Sequence, residues 1–201
     1  DLAHIAVKNH ANAVPNEFAQ YQREISVEEA LDSPPVAKPL HLYDACPITD
    51  GASAVVLVSD EFASTHGLDA PVSITGVGQG GDRLALQDRD RIAETPAATQ
   101  AAETAYADAD IAADDIDVAE VHDCFTIAEV LATEALGFFE NGEGISAARE
   151  GRTTRDGELP INLSGGLKAK GHPVGATGAS QIIELTRLLR GDHPRSDAVE
   201  D

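Results

Sequence analysis

An α/β fold, with a sheet layered between helices, is the class this sequence predicts. Three observations predict it. The second half of the chain alternates extended and helical patterns, passing from Val118–Val121 into a helical period over Thr126–Phe138 and later into an apolar helical run after Gly178. The run Ser53–Ser59 (S-A-V-V-L-V-S) is continuously apolar at its centre, as strands covered on both faces are. Glycine and proline clusters punctuate these runs, as connections do.

In order, Leu2–Ala13 reads as a helix, followed by a turn around Pro15. Ser26 can cap a short helix through Glu29, three residues on, and Pro34, Pro35 and Pro39 enforce an extended connection beyond it. Asp50-Gly51 is a turn signal ahead of the Ser53–Ser59 strand. The pattern restarts at Pro71–Gly78, a second strand, which places a domain junction at about residue 70 and divides the chain into 1–70 and 71–201. Gly76, Gly78, Gly80 and Gly81 do not form a dinucleotide fingerprint, because no G-x-G-x-x-G opens a helix there, and they read as bends.

Thr95-Pro96 starts a helix over Ala97–Ala109, with Tyr106 on its apolar side. Val118–Val121 is a strand ending at His122, and Gly137 lies near the end of the helix that follows. Residues 141–157, rich in glycine and charge, read as a surface excursion. The last helix is expected from about Gly178 to Arg190, with Ile182, Ile183, Leu185, Leu188 and Leu189 on its buried face, and 191–201 as a polar tail.

Composition bounds the function. The chain of 201 residues carries 35 acidic against 14 basic side chains, a net charge of -21, and only four of the basic residues are lysines. Such a surface repels nucleic acid and anionic membrane, and its low lysine points to a protein of a high-salt cytoplasm. No run reaches the length of a membrane span and the start has no signal character, so a soluble cytoplasmic protein is expected. Cys46 and Cys124 have no C-x-x-C partner, which indicates neither a disulfide framework nor a zinc site. Cys46 reads as a small buried hydrophobe.

The chemistry-bearing stretch is Asn162–Ser180, N-L-S-G-G-L-K-A-K-G-H-P-V-G-A-T-G-A-S. Gly165 and Gly166 allow positive φ or close approach to a ligand, Pro173 fixes φ just after His172, and the start of the last helix offers free N–H groups beside that histidine. Lys168 and Lys170 are local exceptions to the acidic field. His122 and Cys124 lie at another strand-to-helix corner, where side chains from separate segments converge. A metal site of His122, Cys124 and His172 is open on residue type, yet nothing in the spacing resembles a zinc pattern, and no metal is expected.

G-G-L-K-A-K-G-H-P-V-G-A-T-G resembles the histidine loop of the thiolases, and Val121–Phe125 (V-H-D-C-F) resembles the H-D-C-F motif of their sterol-carrier-protein-x and archaeal types. Asp44–Ala52 (D-A-C-P-I-T-D-G-A) resembles the stretch leading into the last strand of the first thiolase domain. The three blocks stand in family order over residues 1–191.

The resemblance implies a thiolase-like layered α/β/α fold, spanning the end of the first domain and most of the second. It implies acyl transfer between CoA thioesters without a cofactor, by Claisen condensation or thiolytic cleavage, with acyl-CoA and CoA as partners and a homodimer or homotetramer as the assembly. His172 would polarise a thioester oxygen and help activate the nucleophile, His122 would serve the enolate oxyanion hole, and Cys124 would move the α proton. Ser164, Gly165, Gly166, Lys168, Lys170 and Gly175 would contact CoA or substrate, and His10 lies in a matching V-K-N-H stretch. The family's acyl-carrying cysteine is matched by neither Cys46 nor Cys124. The sequence therefore looks like an internal piece of a longer thiolase, with a non-catalytic CoA-binding or scaffolding subunit as the second reading.

Overall fold

A computed structural model describes residues 1–199. Helix α1 (Leu2–Ala13) is the hub and packs on α2 (Val27–Asp32), α5 (Thr126–Ala135) and α6 (Gly144–Arg149), while α5 also meets α4 (Pro96–Ala109). Between α2 and α3 (Asp60–His66) lies an antiparallel hairpin of β1 (Pro35–Ala37) and β2 (Leu40–His41). Helix α7 (Thr177–Leu189) closes the order.

Local chemistry explains most of these elements. Ser26 accepts from Glu29 N at 3.1 Å and Glu29 returns to Ser26 N at 2.9 Å, the capping box expected at α2. Pro96 occupies the first turn of α4, where its missing N–H costs nothing, and the Tyr106 hydroxyl donates to Leu136 O at 2.9 Å, joining α4 to the end of α5. Gly137, at φ 79°, ends α5.

The centre is built from two extended segments lying side by side. Ala119 and Ile161 form a parallel bridge, with Ala119 N donating to Pro160 O and Asn162 N donating back to Ala119 O. Their apolar side chains, Ala119, Val121, Leu159 and Ile161, form a core with Ala132 and Leu136 of the α5 region. Helix α1 and the turn after it reach the same segment with polar side chains. Lys8, Asn12 and Asn16, spaced four apart, donate to the carbonyls of Ile161, Asn162 and Ser164 at 2.8, 3.1 and 2.9 Å. Lys8 and Asn12, four apart, share a face of α1, and with Asn16 of the turn beyond it they satisfy carbonyls that no strand partner takes.

Four expectations need correction. On the last helix, Ile182 and Leu189, expected on its buried face, are 43% and 57% exposed, and only Leu188 of the five is buried. Ser53–Ser59 and Pro71–Gly78 join no hydrogen-bonded ladder among the described residues, and Val56 and Leu57 are 88% and 68% exposed. A strand buries its faces only where partners and covering helices stand; neither run has a strand partner among the described residues, and the second lies against α4 along its glycine end. Three of the four glycines read as bends are instead a packing stripe: a Cβ at Gly76, Gly78 or Gly80 would run into the carbonyl oxygen of Ala105, Ala101 or Ala97 on α4, while Gly81 has open space. Two residues of extended chain advance about 6.6 Å and four of helix about 6 Å, so alternate glycines keep step with every fourth helical residue. Finally, 141–157 is no mere excursion, because it contains α6, whose Ala147 is fully buried and whose Ala148 packs with Ile5 and Val130.

Candidate active site

His172 and His122 come together. Their rings stand edge to face with centroids 4.8 Å apart. His172 is held at three points. Its backbone N–H donates to Thr49 Oγ1 at 3.1 Å, Ile48 forms a parallel bridge with it, and its Nδ1 lies 2.7 Å from Thr177 Oγ1 at the start of α7. With the Thr177 hydroxyl turned to Pro173 O at 3.1 Å, its oxygen accepts from Nδ1–H. That bond leaves Nε2 as the free lone pair of a neutral ring. Burial, and next the neighbouring His122, lower the His172 pKa, and burial lowers that of His122, so both favour the neutral form.

Cys124 is half-buried beyond the corner and is fixed through its backbone. Its carbonyl accepts from Cys46 N at 3.0 Å and from Lys168 Nζ at 3.1 Å, and Ala45 bridges Phe125 antiparallel. Cys46 is therefore the cross-strand neighbour of Cys124 and half-exposed, where a fully buried hydrophobe was expected, and burial raises its pKa. A cavity of about 240 Å³ opens beside it, lined by His10, Tyr21, Tyr43 and Lys168 among others. His10 is buried, stacks on Tyr21 and meets Tyr43 edge-on, and burial lowers its pKa. Ile48, Phe125 and Val174 stand exposed next to the motif residues, an apolar rim on the histidine side.

The expected binding residues divide. Gly175 is exposed, with open space where a Cβ would be. Ser164, Gly165, Gly166, Lys168 and Lys170 lie inside the protein with protein partners. Ser164 Oγ donates to Glu120 Oε2 at 2.7 Å, and burial raises that carboxyl's pKa. Lys168 also donates to Asp44 O, and burial pulls its pKa down to about 8. Lys170 donates to Ser180 Oγ at 3.1 Å and lies 3.8 Å from Glu184.

Gly165 and Gly166 do take positive φ, at 104° and 57°, but what approaches them closely is Ala13 and Asp123. The N–H groups of Ala176 and Thr177 are taken by Pro173 O, which removes two of the free donors expected before α7. No group of three or more His, Cys, Asp or Glu among the described residues is arranged to hold a metal ion, and no helix there is long and apolar enough to cross a membrane.

Sequence reasoning passed over the support beneath these loops. Asn9 Nδ2 donates to Asp123 Oδ2 at 2.7 Å and to Glu129 Oε2 at 3.1 Å, Asn162 Nδ2 donates to Glu129 Oε2 at 2.8 Å, and Lys8 pairs with Glu129 at 2.7 Å. Thr49 and Thr177, which hold His172, were also missed. The available signal was the run of polar side chains Lys8, Asn9, Asn12 and Asn16 in and just after a helix rich in alanine.

The family described as "Thiolase C-terminal domain-like" matches residues 78–201. The chain belongs to the thiolase family. An acetyl-CoA acetyltransferase of Methanothermobacter thermautotrophicus is 46% identical over 191 residues, covering 95% of this chain and 50% of that protein. Sterol carrier protein 2 of Oryctolagus cuniculus is 38% identical over 195 residues, covering 95% of this chain and 36% of that protein. The chain thus spans half or less of the length of these curated relatives. Among solved structures, the "Ltp2-ChsH2(DUF35) aldolase" superposes with a TM-score of 0.85 at 28% identity, covering 96% of this chain and 51% of that one. The architecture is accordingly the thiolase-like layered α/β fold.

Proposed function

We propose that this chain is part of an acyl-CoA C-acyltransferase that moves acyl groups between CoA thioesters, by Claisen condensation or by thiolytic cleavage of acetoacetyl-CoA or 3-ketoacyl-CoA. The observation that carries the reading is the meeting of His122 and His172 at 4.8 Å, each within its own thiolase motif. In condensation, an acyl group would first load onto a thiolate outside the matched blocks, releasing CoA. Cys124 as thiolate would take the α proton of a second acyl-CoA, and His122 would face the enolate oxygen that results. The α carbon would then attack the loaded thioester, His172 would support the oxygen that becomes negative, and collapse of that adduct would break the carbon–sulfur bond and free the loading thiolate. Gly175 leaves the loop backbone approachable by the ligand.

The test uses the complete protein. Acyl loading and acetoacetyl-CoA formation are measured in the parent, in Cys124→Ala and in His172→Ala. Cys124→Ala should lower condensation by about 10²–10⁴-fold while loading persists, and His172→Ala should impair both half-reactions. Unchanged condensation in Cys124→Ala removes that thiol from the mechanism.

A second reading, a non-catalytic CoA-binding or scaffolding subunit, draws support from the likeness to a chain of an aldolase complex. A native polypeptide mass near 21.0 kDa would favour it, and a much larger mass the enzyme. The proposal also divides the chain near residue 70, which limited proteolysis would check, and assigns the acidic surface to a high-salt cytoplasm. A fold unaffected by desalting, followed by circular dichroism, would remove that last assignment.

A further inference from the structure

His122 and Cys124 hang from the backbone of the residue between them, and that residue is fully buried. Asp123, at 0% exposure, accepts from two elements at once. Oδ1 takes the Leu167 N–H at 2.7 Å, from the first turn of the glycine-rich loop, and Oδ2 takes Asn9 Nδ2 at 2.7 Å, from α1. The loop comes so close that a Cβ on Gly166 would lie 2.5 Å from Oδ2.

A second bond crosses the same gap in the opposite sense. Lys168, the next residue of the loop, donates from Nζ to the carbonyl of Cys124 at 3.1 Å. A side chain of the corner thus grips the backbone of the loop, and a side chain of the loop grips the backbone of the corner. Two such bonds resist rotation as well as separation, which a single contact does not. The loop continues four residues past Lys168 to His172, whose ring meets that of His122.

The charges suit the arrangement. Burial and the nearby Glu129 raise the pKa of Asp123 to about 7, and burial lowers that of Lys168 to about 8. The ionisable groups facing them are Lys8 and Glu129 around Asp123, and Asp44, Cys46 and Cys124 around Lys168. Buried groups of this kind are costly unless partnered, and partnering them across two loops ties the cost to one relative placement of those loops.

We propose that Asp123 and Lys168 are positioning residues that together clamp the His122–Cys124 corner to the loop carrying His172. The effect on rate rests on the acyl-transfer reading; the effect on the two imidazoles does not.

The experiment takes the complete protein as parent, Asp123→Ala, Asp123→Asn and Lys168→Met. It measures kcat and KM for acyl-CoA per folded molecule, and the titration of His122 and His172 by NMR. Asp123→Ala should lose about 10–100-fold in kcat, with KM changed by no more than about threefold, because it disturbs placement and removes no group that touches substrate. His172 should titrate closer to a free imidazole as His122 moves away. Asp123→Asn keeps an acceptor for Leu167 N–H but sets its amide against the Asn9 NH2, which Glu129 holds in place at 3.1 Å. It should recover part of the rate that Asp123→Ala loses.

If Asp123→Ala does not fold, Lys168→Met is read in its place and should show the same pattern more weakly. A variant with a lower melting temperature but parental kcat and parental imidazole titrations overturns the proposal, since that is what a purely structural role gives. If the parent itself transfers no acyl group, the acyl-transfer reading fails, and the titrations alone decide the clamp.

Discussion

Val118–Val121 and Ser53–Ser59 are both short apolar runs, and they meet different surroundings. Ala119 and Val121 are 9% and 5% exposed, while Val56 and Leu57 are 88% and 68% exposed. The difference lies in the neighbours. The first run lies beside Pro160–Asn162, has the α5 region on its apolar side chains, and sits by a segment whose carbonyls α1 satisfies. The second has none of these among the described residues. Apolar sequence makes a strand possible, and only pairing and cover make it core. The candidate catalytic residues follow the same division, since His122 extends from the paired run and its neighbour Asp123 is bonded into the buried network beneath it.

That contrast can be tested by perturbing each region in turn. The largest effect is expected at Glu129, which is 1% exposed and holds Lys8, Asn9 and Asn162 together. Glu129→Gln leaves the Lys8 ammonium buried without its counter-charge and should cost about 3–5 kcal/mol in chemical denaturation of the complete protein. A cost under about 1 kcal/mol would show that the network is not a principal support.

Two glycines at positive φ sharpen the point. Gly165→Ala sets a methyl 2.5 Å from Ala13 Cβ at φ 104°, whereas Gly67→Ala, at φ 62°, meets nothing within 4 Å. The first should cost about 3 kcal/mol or more, the second about 1 kcal/mol, the left-handed penalty alone. Equal costs would mean that the crowding at Gly165 is relieved elsewhere.

A pH-dependent effect belongs to Asp123, whose pKa is raised from about 3.8 to about 7. Between those values the folded state binds more protons than the unfolded, so this group's contribution to stability is present at low pH and lost as pH rises through about 7. Asp123→Asn removes the titration. Relative to the parent, the variant should gain stability between pH 4 and pH 8, and a difference independent of pH would contradict the raised pKa. Smallest of all, Val56→Thr on the exposed run should change stability by about 0.5 kcal/mol or less in the conformation described here. A much larger loss would mean that this run is covered in the protein as it exists in solution.

The sequence alone determined the motifs and the α-helices apart from α3 and α6, which were not read from it. α1 has the bounds expected of it, Leu2–Ala13; Ser26 and Glu29 form the expected capping box; and α7 starts one residue before its expected Gly178. These succeed because capping and helical period act within a few residues of chain. The motif blocks were equally legible, since glycine, proline and histidine in that order constrain the backbone locally.

The tertiary structure alone decided what those local pieces meet. It joined His122 to His172 across 50 residues of chain, turned Lys168 and Lys170 inward to protein partners, and set Cys46 opposite Cys124. It also made a packing stripe of Gly76, Gly78 and Gly80. Each of these depends on which carbonyl, carboxylate or helix backbone lies across a gap of a few ångströms, and that information belongs to no stretch of sequence by itself.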